Sequence, residues 1–485
     1  MRADLGPVVA DVLFLLAGYG VLNAIGFLRT TAADWLGAVG LSFLAGVIWV
    51  SIVAIALLTV GIPLRLATFV VLSALTAVAG LSLRRGWLNM VRTRPALGDL
   101  PQRVRSLPWY AWVGCLTLTA FAAYAISGGF LARVRPLQDW DSWSIWSRKA
   151  EMLFHTGHLP TDFFANSAYA FMHPDYPLLV PVFESIEYRA MGAVDTRAIH
   201  LQFWLLLLAF VLAVLYLGFR RGTLLEWLPL AVIVAITPSV VAQIFTAYAD
   251  IPLALFLAIG VLLLGEWLAK RDPTNLAVSV LFVAGAASTK NEGFVAAVIV
   301  FVIAGIVTLV SAGRRDLRDL CIAGAAFVAA VLPWRIWLSV EGIHGDISPR
   351  KGVDPSYLSH HTSRVWPSVE SLYGQLAKGG WLYAVPIAAS IALVCLLIRG
   401  RRAIAAFYLS SGALVFVALV WVYWISPSPI SSYLSSSTYR VTALLAALSF
   451  AAILQLPIPA RDAEQETLDA PEDLDVVDRR LVRVE

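Results

Sequence analysis

Along most of its length the chain repeats one feature, an apolar run near 20 residues long closed off by a short polar connection. A helix rises about 1.5 Å per residue, so about 20 residues cross the roughly 30 Å hydrocarbon core of a bilayer. Runs of this kind fall at 7–28, 35–60, 66–83, 109–131, 199–219, 225–245 and 251–268, then at 276–288, 294–310, 320–339, 381–398, 403–424 and 441–456. They predict about 13 spans, of which 276–288 is the shortest. Hydrocarbon offers no water to backbone N–H and C=O groups, and a helix satisfies them internally. The expected fold is therefore an all-α integral membrane protein. Composition agrees, with 59% hydrophobic and only 14% charged residues where soluble domains carry about a quarter. A net charge of +4 over 485 residues gives no reason to invoke nucleic acid.

Cys115, Cys321 and Cys395 all fall inside apolar runs, which suits packing residues rather than a disulfide framework or a metal cage. The first run follows Met-Arg-Ala-Asp with no clear small-residue cleavage site, so it reads as a retained helix and not a signal peptide. Arginines orient the chain. Arg84, Arg85, Arg92, Arg94, Arg103 and Arg105 crowd one connection. Arg220 and Arg221, Lys270 and Arg271, Arg314, Arg315 and Arg318, and Arg399, Arg401 and Arg402 mark alternate later ones. With these on the cytoplasmic side, 132–198, 247–250, 289–293, 340–380 and 425–440 share the outer side. The basic residues of 132–198 do not disturb this, because long loops translocate largely regardless of charge. The odd span count would put the N-terminus outside.

The organisation expected is a 1–108 segment of membrane helices and a basic cytoplasmic loop, then a 109–340 core with the outer loop 132–198. A second outer loop and further membrane helices follow over 341–460. The stretch 461–485, rich in Asp, Glu and Arg, reads as a disordered cytoplasmic tail. No internal repeat stands out, and neither does a pair of Gly/Pro-broken helices, the cue for an inverted-repeat transporter.

The outer loop carries the most information. From Pro136 to Phe154 it places Trp143, Trp146, Ala150, Leu153 and Phe154 at three- and four-residue spacing, one apolar face on a helix too short and too charged to span. Such a helix belongs along the membrane surface, with tryptophans at headgroup level. Asp139 and Asp141 stand at its start. Asp141 fits two roles there, an ordinary N-cap or a carboxylate held at the water–lipid boundary, where the head of a lipid-linked reactant would lie. In His173-Pro-Asp-Tyr-Pro177 two prolines stiffen a non-helical segment carrying His173 and Asp175; a plain turn histidine is the competing reading. Other outer-side residues converge on this loop: Asp250 at the start of one run, Lys290 and Glu292 in the turn between two, and Arg335 and Arg440 near helix ends. Ionisable residues at membrane helices are costly and so are functional candidates, although snorkelling to headgroups accounts equally for Lys290, Arg335 and Arg440.

On these residues the chain resembles the GT-C superfamily of polytopic glycosyltransferases, which includes the protein O-mannosyltransferases and the aminoarabinose transferases that modify lipid A (glycosyltransferase family 39 and relatives). That superfamily carries an acidic motif in the first large outer loop, just after a membrane helix; Asp139-Trp-Asp141 occupies that place. Ala249-Asp250-Ile-Pro-Leu-Ala-Leu-Phe256 is similar to the family's Asp-X-Pro-Leu-X-Phe-Phe, and Ser288-Thr-Lys290-Asn-Glu292-Gly to its Thr-Lys-Gly or Lys-Glu-Gly turn. Tyr439-Arg440 is similar to its late Arg-Tyr. The resemblance runs from about Trp109 to Arg335, so the first three helices would be an addition. The family reads Asp-Glu or Glu-X-Asp at the acidic site, and the Asp-X-Asp here leaves open which acid is the base.

The resemblance implies a polyprenyl-phosphate donor carrying one sugar, and transfer on the outer side of the cell membrane to a hydroxyl of a lipid, glycan or protein. A carboxylate must take the acceptor proton, a role for Asp141 with Asp139 second. Cations must receive the leaving phosphate, a role for Lys290, Arg335 and Arg440. His173, Asp175, Asp250 and Glu292 would bind or orient substrate. A divalent ion, Mg²⁺ or Mn²⁺, would suit oxygen ligands but is not required. Two rival expectations are a flippase for a lipid-linked sugar, and an oligosaccharide ligase or polymerase. The latter would use the loop 340–380 with His344, His360, His361, Arg364 and Lys378.

Overall fold

Helices build the protein, and among the described residues there is no strand. The computed structural model describes residues 2–29, 31–84, 109–311, 314–345 and 349–457. The basic connection from 85 to 108 and the acidic tail from 461 lie outside them. Ten described helices are long and apolar enough to cross a membrane: Leu5–Ile25, Val39–Thr59, Leu66–Leu83, Trp112–Val134, Thr196–Arg221, Asp250–Lys270, Asn291–Ser311, Arg315–Val340, Arg399–Ile425 and Ile430–Gln455. An eleventh is broken. Leu224–Ile236 and Pro238–Ile244 meet at 54°, because Pro238 offers no N–H and forces Thr237 into an extended conformation. The runs at 276–288 and 381–398 form helices of 15 and 13 residues, Pro273–Ala287 and Ala384–Leu396. Both are shorter than the about 20 residues a crossing needs. The multi-pass membrane class therefore stands on ten or eleven helices of crossing length, where about 13 spans were expected.

Asp250–Lys270 is the axis of the bundle, buried over 94% of its apolar window between Thr196–Arg221, Pro273–Ala287 and Ala443–Gln455. At the periphery, Trp112–Val134 turns Leu116, Ile126 and Phe130 outward, an apolar surface suited to lipid. The first helix, Arg2–Ile25, and Val39–Thr59 touch backbone to backbone. A Cβ on Gly18 would lie 1.7 Å from the Ser42 carbonyl oxygen, the close approach that small residues permit between membrane helices. Four of the basic connections gather at one end: Arg221 pairs with Glu266 and donates to the Gln455 carbonyl, Arg401 donates to the Leu456 carbonyl, and Arg271 meets Asp316 at 3.8 Å.

The 132–198 loop folds into short helices at the opposite end. A turn of π-helix, Ser142–Trp146, runs into Ser147–Thr156, and part of the apolar face expected there is formed, turned to the protein rather than laid on a membrane surface. Trp146, Ala150 and Leu153 are buried, and the helix packs on Leu179–Met191, while Trp140 and Trp143 stay exposed. The segment 425–440 departs from expectation. It was expected as a loop, yet it contains the helix Ile430–Val441, so Arg440 sits within the crossing-length stretch Ile430–Gln455 rather than opening it. Its serines dilute the hydropathy that betrays a membrane helix. The cysteines also divide: Cys395 is buried, whereas Cys115 and Cys321 are exposed on their helices, and none is bonded to another.

Candidate functional site

Charges from four distant parts of the chain form one ladder at the end that carries the 132–198 loop. Asp250 opens its helix directly after the Tyr248–Ala249 turn and is 4% exposed. Lys290 occupies the tight connection between Pro273–Ala287 and Asn291–Ser311, and its Nζ donates to Asp250 Oδ1 at 2.9 Å and lies 3.4 Å from Glu292. Burial opposes a charge on Lys290, but Asp250 and Glu292 outweigh it and hold the ammonium above its ordinary range. Arg440 donates to Asp141 Oδ2 and lies over the Tyr248 ring at 4.8 Å, with Asp250 within its electrostatic reach. Asp141 makes no N-cap bond; its side chain is spent on Arg440. Asp139 sits behind it, 3.8 Å from Arg135.

The His173–Pro177 turn approaches the same ladder. His173 takes a left-handed φ of 49°, which lets its ring stack on Tyr176 at 4.7 Å. The buried Lys149 secures the turn by donating to the His173 carbonyl at 2.6 Å. Trp334 Nε1 donates to the Asp175 carbonyl at 3.2 Å, and Leu179 N–H to the Ser288 carbonyl at 3.0 Å. Asn291 joins two of the expected site residues: its Nδ2 donates to Asp175 Oδ2 at 2.6 Å, and its Oδ1 accepts from Arg335 at 2.7 Å. Among the described residues Arg335 has no carboxylate within ion-pair distance. It lies over the Phe294 ring at 5.1 Å.

A cavity of about 460 Å³ opens beside this cluster. His173, Asp175, Asn291, Glu292, Arg335 and Tyr433 make one polar end. Val295, Ile299, Val415, Leu419 and Val422 make an apolar slot between Asn291–Ser311 and Arg402–Ile425. One end is thus charged and the other greasy, the outline of an amphiphile's head and first tail segment.

The structure brings together Asp141, Asp250, Lys290, Glu292 and Arg440 in the ladder, and His173, Asp175 and Arg335 at the cavity mouth beside it. Asp139 is adjacent and faces Arg135, with its buried Oδ2 making no hydrogen bond among the described residues. Asp141 and Arg440 do not line the cavity; Asp250 and Lys290 stand between. Sequence reasoning missed Asn291, Tyr176, Tyr433 and Lys149. Asn291 is neutral and so gave no signal of cost in an apolar setting, and Lys149 passed for a residue on the wet face of its helix. Among the described residues no three His, Cys, Asp or Glu side chains converge as a metal ion would need. Asp250, Asp175 and Asp141 are already held by Lys290, Asn291 and Arg440, so this donor set does not fit a bound divalent ion. Comparison with protein-family models, with curated proteins and with solved structures found no match.

Proposed function

We propose that this protein is a membrane glycosyltransferase of the GT-C type, moving one sugar from a polyprenyl-phosphate donor to a hydroxyl acceptor at the outer face of the cell membrane. One observation carries the reading: a half-polar, half-apolar cavity whose wall presents Arg335, a guanidinium bound to the neutral Asn291 and to no carboxylate. Lys290 and Arg440 spend their charge on Asp250, Glu292 and Asp141. Among the described residues that line the cavity, Arg335 is the Lys or Arg present to meet a phosphate, and a guanidinium meets it with two parallel N–H bonds. The apolar slot takes the first part of the prenyl chain.

The reaction follows as a single displacement. The acceptor oxygen attacks the anomeric carbon, the carbon–oxygen bond to phosphate breaks, and the electron pair leaves with the phosphate toward Arg335. The acceptor proton passes to a carboxylate. Asp175, on the cavity wall beside Arg335, is assigned that role, with one oxygen held by Asn291. Asp141, off the cavity and held by Arg440, is the competing base. One displacement inverts the anomeric centre. The test is a photoreactive polyprenyl phosphate bearing one sugar, presented to the protein in nanodiscs. Labelling is expected within 294–299 and 415–422 and should fall at least about tenfold, or about 1.4 kcal/mol, in Arg335→Gln. Labelling elsewhere, or labelling indifferent to that substitution, contradicts the reading.

The same cavity suits a flippase for the same amphiphile. The positions of Lys290 and Glu292 at a helix start, and of Arg335 near the end of Arg314–Val340, favour chemistry at the surface over a path through the midplane.

A further inference from the structure

Away from the cavity, the outer helix Leu179–Met191 meets the bundle at a group of acids that no cation among the described residues pairs with. Glu187 is fully buried, and Gln202 Nε2 donates to its Oε2 at 3.3 Å. The same nitrogen donates to Asp11 Oδ2 at 3.3 Å. One amide NH₂ therefore bridges two carboxyl groups, one on the outer helix and one on the first membrane helix. The remaining oxygens, Glu187 Oε1 and Asp11 Oδ1, are buried without a partner, as is Oε2 of the neighbouring Glu184. The approach is tight: a Cβ on Gly6 would lie 2.3 Å from the Ala190 carbonyl oxygen, leaving the helices no room to part around a hydrated charge.

Among the described residues, five cations of the surrounding segments make contacts elsewhere, and Arg65 lies beside Arg189. Arg189, on the same helix, donates to the Leu153 and Phe154 carbonyls. Arg133 reaches Asp195 at 3.4 Å, Arg135 reaches Asp139, and Arg148 reaches Glu151. Lys149 is held by the His173 carbonyl. From Thr196–Arg221 the facing groups are Gln202 and the buried His200, the latter beside Arg135. Tyr188 faces Glu184 and Ser147.

We propose that Glu187, Gln202 and Asp11 form a protonic latch, in which Glu187 keeps its proton and so lets the outer helix dock beside Asp11, and that loss of this proton as pH rises loosens the helix from the bundle. Two charged carboxylates across one amide nitrogen in a buried site would repel with no counter-ion, so the neutral acid is the form the packing accepts. Burial, and after it the charge of Asp11, drives the Glu187 carboxyl well above its usual range; burial alone does the same to Glu184. A carboxyl raised in the folded state contributes full stability at low pH and loses it as pH climbs through the folded-state value. The helix begins two residues after the His173–Pro177 turn, so the latch holds the rod that carries Asp175 and Tyr176 to the cavity.

The experiment uses the full chain in nanodiscs with Glu184→Gln as background, so that the lone acid does not contribute. Between about pH 6 and about pH 9, the Glu184→Gln protein should lose about 5 °C or more of Tm, and amide exchange over 179–191, corrected for its intrinsic pH dependence, should rise. Adding Glu187→Gln should flatten both responses. An infrared carboxyl C=O band should weaken on Glu187→Gln in the otherwise unchanged chain, a readout that needs no stability change. A flat response in Glu184→Gln, an equal fall with and without Glu187→Gln, or a carboxyl band indifferent to Glu187→Gln each overturns the latch.

Discussion

Arg440 donates to Asp141 across 299 positions of sequence, joining the last turn of Ile430–Val441 to the start of the tryptophan-rich outer helix. The Arg440 side chain is 10% exposed and that of Asp141 21%, so the pair is partly sheltered and its loss is felt on both sides. Arg440→Ala should destabilise the protein by about 3 kcal/mol, at the lower edge for breaking a sheltered pair because Asp141 keeps some contact with water. Adding Asp141→Asn should restore part of that loss, since the stranded charge is gone. Thermal unfolding of both singles and the double, read as a cycle, checks this; strict additivity would mean that the contact carries no coupling.

Lys290 should tolerate Arg far better than Met. Lys290→Met leaves Asp250, 4% exposed, facing a methyl group, with an expected cost of about 3–5 kcal/mol. The pH dependence has a defined sign. An ammonium held above its ordinary value keeps its contribution at every pH below that ordinary value and loses it only as pH climbs beyond. Raising pH from about 6 to about 9 should therefore leave the difference in Tm between wild type and Lys290→Met unchanged. A difference that shrinks across that interval would show the ammonium titrating early.

These charges show what could be read before folding and what could not. Asp250, Lys290 and Arg440 stand out in sequence because an ionisable group beside an apolar run is costly, and the ladder accounts for that cost by pairing them. Asn291 carries no charge and holds Asp175 and Arg335 together unseen. Glu184 and Glu187 lie in an outer loop, where acids are unremarked, and only packing shows them buried. The spans were legible because hydropathy reports length. The helix Ile430–Val441 was not, since its serines read as loop, and neither was the bend at Thr237, which depends on one proline.

His173 should accept Gly at its backbone more readily than any β-branched residue. Its φ of 49° lies in the left-handed region, which costs an L side chain about 1–2 kcal/mol and Gly almost nothing. His173→Gly should match or exceed His173→Ala in stability, while His173→Val should fall below both. Chemical or thermal denaturation of the three variants decides it, and a Val variant equal to Ala would mean that the turn does not hold this conformation.

Filling the apolar slot should separate tail binding from head binding. Ala418 lines it beside Leu419 and Val422, and Ala418→Phe should raise KM for a long-chain donor while leaving a donor with a one-isoprene tail nearly unaffected. Arg335→Gln should do the reverse, lowering kcat by about 10²-fold for both donors, as expected when a donor to a developing anion is removed. Steady-state kinetics with the two donors distinguishes the effects; identical losses in both variants would place the tail elsewhere.

The most direct test of the transferase account is the mass of the lipid-linked and glycan species that accumulate when Asp175→Asn replaces the native protein in its own membrane. The account predicts an acceptor lacking one sugar together with unspent lipid-linked sugar on the outer leaflet. A fully decorated acceptor, or a lipid-linked sugar trapped on the cytoplasmic leaflet, would contradict it.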